Sequence, residues 1–230
     1  MIQLIALIAA LFAQPAPAQA PDPASSSGPV VVELFTSQGC PMCPEANALL
    51  EELGAGGSVI AIAYGVSWWD MYGWEDEFAR PEFAARQQAY VEAGEAMRVY
   101  TPHFVVNGAP EKMRFAAETV RGAVGAARPL PPVVEIAGDT VSLDGPARAT
   151  PAQVWRVDYH PGSQTRRIEG GANAGRSMAH FNMAAELISL GEWAGGPQTF
   201  DLAPAEPGLE TALLVQDGSG GRIIAAARRP

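Results

Sequence analysis

The hydrophobic positions of the chain follow two spacings in turn, one typical of strands and one typical of helices. Short runs rich in β-branched residues predict buried strands at residues 30–35, 58–64 and 103–106. Helical composition predicts helices at residues 43–53, 81–93 and 115–127. Pro44 and Glu45 suit the first turn of the first helix, and Gly54 suits its end. The first half of the chain is therefore predicted to alternate strands with helices.

Two short motifs mark the boundaries of these elements. Cys40 and Cys43 stand between the first strand and the first helix, and Thr101-Pro102 directly precedes the third strand. This order of elements predicts a thioredoxin-like α/β sheet. The Asn107-Gly108 pair predicts a hairpin turn at the end of the third strand.

The composition changes at the proline-rich residues 128–132, which we interpret as a linker. Short alternating segments separated by Gly, Pro and Asp follow and predict a β-rich, sandwich-like region. Residues 181–190 fit a helix and a strand equally well. The predicted fold class is thus α/β, with a thioredoxin-like domain at residues 29–128 and a β-rich domain at residues 129–230.

The amino-terminal residues have the layout of an export signal. An uncharged apolar run is followed by two prolines and the small-residue triplet Ala18-Gln19-Ala20, which predicts a signal peptide at residues 1–20. An uncleaved anchor is the alternative, although the apolar run is short for a membrane span. Residues 21–28 are predicted to form a disordered spacer. We expect a periplasmic or secreted protein with no stable membrane insertion after cleavage.

The charge balance narrows the classes of partner. The formal net charge is −10, with 25 acidic and 15 basic residues. Binding to nucleic acid requires basic surface that neutralises phosphates, so a nucleic-acid partner is not expected.

The two cysteines carry the candidate chemistry. A disulfide between Cys40 and Cys43 closes a loop too short to restrict the unfolded chain much, so the spacing favours redox or metal chemistry. At a helix start, unpaired backbone N–H groups and the helix dipole stabilise a thiolate. We therefore expect Cys40 to be the nucleophile and Cys43 to resolve the mixed disulfide. Gly39, Pro41 and Met42 are candidate modulators.

Thr101 and Pro102 are the predicted substrate-binding residues. We expect their peptide bond to be cis and to lie against Cys40, because Pro102 directly precedes a predicted strand downstream of the CxxC motif, where thioredoxin-like folds have a cis proline. His103 follows directly and is a further candidate modulator. No cofactor is predicted beyond the redox-active dithiol itself. Copper(I) bound by Cys40, Cys43 and His103 is the main alternative, while zinc and a purely structural disulfide remain open.

Several other side chains have a structural and a functional interpretation. Trp68, Trp69 and Trp74 fit a rim around a peptide substrate, although core packing is the commoner role of such a cluster. Asp70 fits a turn or cap. The glycine-rich residues 170–175 fit ordinary turns.

The chain also resembles a secreted bacterial family of the thioredoxin-like superfamily, the domain of unknown function 1223. The matching positions are residues 33–40, Cys43-Pro44, Trp69-Asp70, Gly73-Trp74, Phe78, Arg86-Gln87, Tyr90, residues 99–102 and 105–108, residues 173–176, residues 191–193 and Val215-Gln216. The resemblance covers nearly the whole chain after residue 28, and it implies a thioredoxin-like fold and export. It implies no particular activity.

These observations predict an exported thiol-disulfide oxidoreductase that exchanges disulfides with protein thiols and with a separate redox partner. A copper(I)-handling protein that uses the same cysteines is the first alternative. A non-catalytic thioredoxin-like binding module is the second.

Overall fold

The computed structural model describes residues 28–110 and 115–229. The predicted signal peptide and residues 21–27 of the predicted spacer lie outside this range. Three helices occupy the described residues, namely α1 (Cys43–Gly54), α2 (Pro81–Glu92) and α3 (Ala117–Ala126). The first strands are β1 (Val30–Thr36), β2 (Val59–Gly65), β3 (His103–Val106) and β4 (Ala109–Pro110). None of the described helices combines the length and hydropathy that a bilayer span requires.

The remaining strands follow α3. They are β5 (Val134–Ala137), β6 (Thr140–Leu143), β7 (Ala152–Arg167), β8 (Ser177–Trp193), β9 (Gln198–Asp201), β10 (Glu210–Asp217) and β11 (Ile223–Arg228). The predicted strands and helices of the first half are confirmed within a few residues. Residues 181–190, which fitted either state, belong to the long strand β8.

Eight strands form one mixed sheet in the order β11-β10-β7-β8-β2-β1-β3-β4. β1 is parallel to β2 and antiparallel to β3, with Leu34 opposite both Ala63 and Phe104. β2 and β8 join the two halves of the chain through a parallel pair, Ala63 and Met183. The described chain is thus a mixed α/β structure in which both halves contribute to a single large sheet.

The two faces of the large sheet are covered by different elements. Because side chains alternate along a strand, Val31 and Phe35 of β1 face one side and Val32 and Leu34 the other. The first side packs against Phe83 and Tyr90 of α2. The second side packs against residues of α1 and α3. Further along the same sheet, the three-stranded sheet β5-β6-β9 packs against β7, β10 and β11.

The large sheet curls so that its two ends approach each other. The backbone N–H of Ile223, at the start of β11, donates to the carbonyl of Asn107 in the β3–β4 turn at 3.1 Å. A side chain at Gly108 would place Cβ 2.5 Å from the backbone nitrogen of Ile223, so glycine is required at this approach. The curl encloses the face that carries Val31, Phe35 and α2.

A buried polar network crosses this enclosed face. The guanidinium of Arg86 on α2 donates to Glu33 of β1 at 2.6 Å and to Gln216 of β10 at 3.1 Å. The Tyr90 hydroxyl donates to the second carboxylate oxygen of Glu33 at 2.5 Å. Each partner completes hydrogen bonds that the others need, which is the condition for tolerating charges inside a protein. The network ties α2 to two strands that are distant in the sheet order.

We predict that Glu33→Gln lowers the free energy of unfolding by about 3–5 kcal/mol, because it leaves the Arg86 charge buried without its counter-ion. Urea denaturation of the reduced protein, followed by tryptophan fluorescence, measures the change.

The matched control is Glu52→Gln, which removes an exposed ion pair with Arg121. Solvent screens such an exposed pair, so its removal should change the free energy of unfolding far less than Glu33→Gln does. Equal effects of the two substitutions would contradict the role given to the buried network.

Candidate functional site

The dithiol lies at the junction of β1 and α1. β1 ends at Thr36, a tight turn follows in which the Cys40 N–H donates to the Ser37 carbonyl at 3.1 Å, and α1 begins at Cys43. Pro44 occupies the first turn of α1, where no backbone donor is needed. Both cysteines are free thiols. The sequence thus places Cys40 immediately before the helix and Cys43 within its first turn.

The two thiols have opposite electrostatic environments. The pKa of Cys40 is lowered from 9.0 to about 7, chiefly because the Cys43 thiol donates a hydrogen bond to it. Burial opposes this change, while the Thr101 hydroxyl and the backbone N–H groups of Met42 and Cys43 support it. Burial raises the pKa of Cys43 well above its usual value, and the neighbouring Cys40 adds to this effect. Cys40 is therefore the thiol that ionises first.

Each cysteine sulfur accepts a hydrogen bond from a threonine hydroxyl. Each of these hydroxyls in turn accepts a hydrogen bond from a side-chain N–H group. The Trp69 indole N–H donates to Thr101 Oγ1 at 2.8 Å, and the Asn47 amide donates to Thr36 Oγ1 at 2.8 Å. A hydroxyl that accepts such a bond keeps its single proton for another acceptor. That acceptor is the sulfur of Cys40 for Thr101 and the sulfur of Cys43 for Thr36. The two arrangements favour the thiolate at each position.

The Thr101–Pro102 peptide is cis, as expected from the sequence. Gln87 on α2 supports this segment, because its side-chain amide donates to the Tyr100 carbonyl at 2.7 Å and contacts His103 Nδ1 at 3.1 Å. Trp68 in turn donates its indole N–H to the side-chain oxygen Oε1 of Gln87 at 2.8 Å. The structure therefore brings Thr101 against Cys40 and fixes the segment from α2.

His103 is fully buried among ring systems and the Gln87 amide. Its ring lies 4.4 Å from that of Tyr100 and 6.0 Å from that of Phe35. Burial lowers the pKa of His103 to about 4, so the ring is neutral near pH 7. Because Gln87 donates to Nδ1, the proton of the neutral ring resides on Nε2. These contacts make His103 a support of the Thr101–Pro102 segment.

The turn that precedes Cys40 is fixed by side chains from residues 68–78, which connect β2 to α2. The Asp76 carboxylate accepts the Gln38 backbone N–H at 2.7 Å, and the Trp74 indole donates to the Gln38 side chain at 2.7 Å. Burial raises the pKa of Asp76 to about 6. Gly39 is required here, since a Cβ would lie 2.7 Å from the Cβ of Trp69. Asp70, a candidate turn residue, accepts the Asp76 backbone N–H at 3.3 Å.

The sequence analysis did not predict that the loop between β7 and β8 lies over the dithiol. We call residues 168–176 the cover loop. The side-chain amide of Asn173 donates to the carbonyls of Gln38 and Cys40, each at 2.8 Å. Ile168 and Met178 pack in one buried cluster with both cysteines. The available signal was the resemblance at residues 173–176, which lacked an assigned role.

The large apolar side chains of residues 68–78 include a partly buried group and an exposed group. Trp69 and Trp74 are partly buried and pack on the cluster that contains the cysteines. Trp68, Met71 and Tyr72 are exposed. Pro41 and Met42 between the cysteines are also exposed. The dithiol thus has an apolar cover and an exposed apolar surface beside it.

Within residues 28–110 and 115–229, no group of three or more His, Cys, Asp or Glu side chains is placed to hold an ion. A further soft ligand type is present beside the cysteines, because the thioether of Met178 belongs to the same buried cluster.

Comparison with known proteins assigns a family. The family described as "Protein of unknown function (DUF1223)" matches residues 31–216, so the chain belongs to this family. No curated protein matches it.

Two solved structures are similar. One, a structural-genomics crystal structure of a protein from Agrobacterium tumefaciens, is 29% identical, with a TM-score of 0.67 over 88% of this chain and 94% of that chain. The other, HBP35 of Porphyromonas gingivalis, is 16% identical, with a TM-score of 0.58 over 89% of this chain and 75% of that chain. The second likeness concerns the fold alone.

We predict that the alkylation rate of Cys40 rises with pH around a midpoint near 7, the lowered pKa of its thiol. Thr101→Val removes a hydroxyl donor to the thiolate and is expected to raise the midpoint by about one pH unit. Iodoacetamide pulses across a pH series, mapped by mass spectrometry, give the midpoint.

Thr140→Val on an exposed position of β6 is the control and leaves the midpoint unchanged. An unshifted midpoint in Thr101→Val would show that this hydroxyl does not act on Cys40.

Proposed function

We propose that this member of the DUF1223 family is an exported thiol-disulfide oxidoreductase with a thioredoxin-like arrangement of its first seven elements. The proposal rests above all on one observation. The Cys40 sulfur, with its pKa lowered to about 7, accepts a hydrogen bond from Thr101, and Thr101 precedes a cis proline. A thiolate present near neutral pH is the species that attacks disulfides.

The order of elements supports the thioredoxin-like part of the proposal. The chain runs β1-α1-β2-α2-β3-β4-α3, with the dithiol at the start of α1 and the cis proline just before β3. A CxxC motif within a strand-helix-strand pattern is the sequence signature of this group. The DUF1223 match spans these elements and continues to residue 216. Export to the periplasm or the medium is proposed from the signal-like layout of residues 1–20.

The reaction follows from the difference between the two thiols. The Cys40 thiolate attacks one sulfur of a substrate disulfide, a Cys40–substrate disulfide forms, and the other substrate sulfur leaves as a thiolate that takes up a proton. Cys43 then loses its proton and attacks the Cys40 sulfur, which releases the second substrate thiol and leaves a Cys40–Cys43 disulfide. Two electrons pass from the dithiol to the substrate. The reverse sequence oxidises a substrate dithiol.

The proposed roles of the other residues follow from their contacts. Thr36 donates to the sulfur of Cys43, so it stabilises the thiolate that must form during the second step. Thr101 stabilises the first thiolate, and the Pro102 segment lies beside it as the proposed site for an extended substrate chain. A separate dithiol or disulfide protein is needed to return the enzyme to its starting state.

Trapping a mixed disulfide tests this proposal. Cys43→Ala removes the resolving thiol, so a covalent Cys40–substrate adduct is expected to accumulate with a short unstructured peptide that carries a disulfide. Non-reducing gel electrophoresis and mass spectrometry detect the adduct.

Cys40→Ala is the matched control and should form little adduct, because burial raises the pKa of Cys43 well above its usual value and leaves little thiolate near neutral pH. If Cys43→Ala reacts with iodoacetamide at Cys40 but captures no disulfide substrate, the oxidoreductase role fails and a non-catalytic binding module becomes the better interpretation.

Copper(I) handling is a second candidate, and one observation favours it. Met178 lies in the same buried cluster as Cys40 and Cys43, so two cysteine sulfurs and a thioether sulfur share one site away from solvent. Soft sulfur ligands of this kind select copper(I). In this version Met178 takes the place that the sequence had suggested for His103.

Competition against a copper(I) chelator tests the second candidate. Met178→Leu keeps the apolar volume and is expected to weaken copper(I) binding about tenfold or more, since it removes a ligand. Met97→Leu at an exposed site should change nothing. Binding that survives replacement of both cysteines would eliminate this function.

A further inference from the structure

The cover loop forms the tip of the β7–β8 hairpin, and two backbone hydrogen bonds join its ends. The Ile168 N–H donates to the Arg176 carbonyl at 2.9 Å, and the Gly175 N–H donates to the Ile168 carbonyl at 2.8 Å. Within residues 168–176 only Ile168 and Asn173 are buried, and the other side chains are exposed or half-exposed. The loop therefore has few anchors, and they all point toward the dithiol.

Asn173 is the polar anchor of the loop. Its side chain is completely buried, and its two amide hydrogens go to the carbonyls of Gln38 and Cys40 at equal distances of 2.8 Å. Both acceptors belong to the turn that presents the Cys40 sulfur. An amide has two donors, so Asn173 uses its full donor capacity on this turn.

The loop backbone also approaches the turn closely. A Cβ on Gly170 would lie 2.5 Å from the Gly73 carbonyl oxygen, and one on Gly171 would lie 3.6 Å from the Cα of Gly39. Gly171 has φ of +64°, a conformation that disfavours other residues. Glycines at these positions let the loop rest directly on the backbone around the dithiol.

The result is a nearly closed site. Cys40 is only 1% exposed, beneath a cluster that includes Ile168, Met178, Trp69 and Trp74. A substrate disulfide must contact the attacking sulfur directly, and access is one of the factors that set the rate of exchange. A folded substrate protein does not reach a sulfur covered in this way unless the cover moves.

We infer that the cover loop determines which disulfides reach Cys40, and that Asn173 is the positioning residue that holds it closed. With the loop down, small reagents and thin extended segments enter beside the Thr101–Pro102 edge, whereas bulky disulfides are excluded. Release of Asn173 from the carbonyls of Gln38 and Cys40 opens the site to bulky substrates. The substrate class rests on the proposed function, while the control of access does not depend on it.

The test compares alkylation of Cys40 by a small and a bulky reagent. N-ethylmaleimide and a polyethylene glycol maleimide share their chemistry, so the ratio of their rates reports access and cancels changes in the thiol pKa. Asn173→Asp is isosteric and places a carboxylate oxygen against two carbonyl oxygens. We expect it to raise the relative rate of the bulky reagent about tenfold or more, since two buried hydrogen bonds are lost.

Asn182→Asp is the matched control. Asn182 lies in the same hairpin, in β8 after the cover loop, and its amide donates to the Ala61 carbonyl of β2 at 2.9 Å and not to the turn at Cys40. It should leave the ratio of rates as in the wild type, whatever it does to stability. Asn173→Ala, which removes both donors without adding a charge, provides the same readout if Asn173→Asp fails to fold.

The outcomes separate the two proposals. A wild-type Cys40 that reacts equally well with both reagents, or a ratio that is the same in the wild type and in a folded Asn173 variant, overturns the cover-loop inference. If the variants open Cys40 to the bulky reagent and still capture no disulfide substrate in the Cys43→Ala background, the inference stands and the oxidoreductase proposal fails.

Discussion

The ion pair between Glu33 and Arg86 is the interaction on which the arrangement of the site depends. Glu33 lies in the strand that leads directly to the dithiol, and Arg86 lies on α2. The next residue of α2, Gln87, holds the Tyr100 carbonyl and His103 beside the cis proline. One helix therefore fixes both the strand that carries Cys40 and the segment that faces it. The cost of burying two charges is offset by their mutual attraction and by the tyrosine and glutamine bonds around them.

The chemistry of the dithiol arises without a neighbouring cationic side chain among the groups that set its pKa. A thiol, a hydroxyl and two backbone N–H groups direct hydrogen bonds at the Cys40 sulfur, and together they outweigh the burial that opposes ionisation. Cys43 has the same type of threonine partner, but burial is the largest effect on its pKa and raises it. The difference between the thiols therefore has two causes, the hydrogen bond that Cys43 donates to the Cys40 sulfur and the burial of Cys43 at the start of α1.

The sequence predicts the local parts of this structure well, because they depend on neighbouring residues. The run of β-branched residues before the cysteines indicates a strand, and Pro44 fits the first turn of a helix. Pro102 indicates a cis bond only through its place after the dithiol and directly before β3. Asn173 is different, since its partners Gln38 and Cys40 are more than 130 positions away in the chain. The pairing of β8 with β2 could not be predicted for the same reason, because the sequence pattern of a strand does not identify the strand beside it. The thioredoxin-like domain boundary at residues 128–129 stays a prediction, although strands from both sides of it share one sheet.

The central claim is that Cys40 and Cys43 form an exchangeable redox couple. The most direct measurement is the reduction potential of this couple, obtained by equilibrating the protein with glutathione buffers of known ratio and quantifying the free thiols by mass spectrometry. We expect one reversible two-electron transition between about −270 and −120 mV, the range of catalytic thiol-disulfide proteins. A couple that stays oxidised below about −300 mV, as structural disulfides do, or that shows no reversible transition, would contradict the claim.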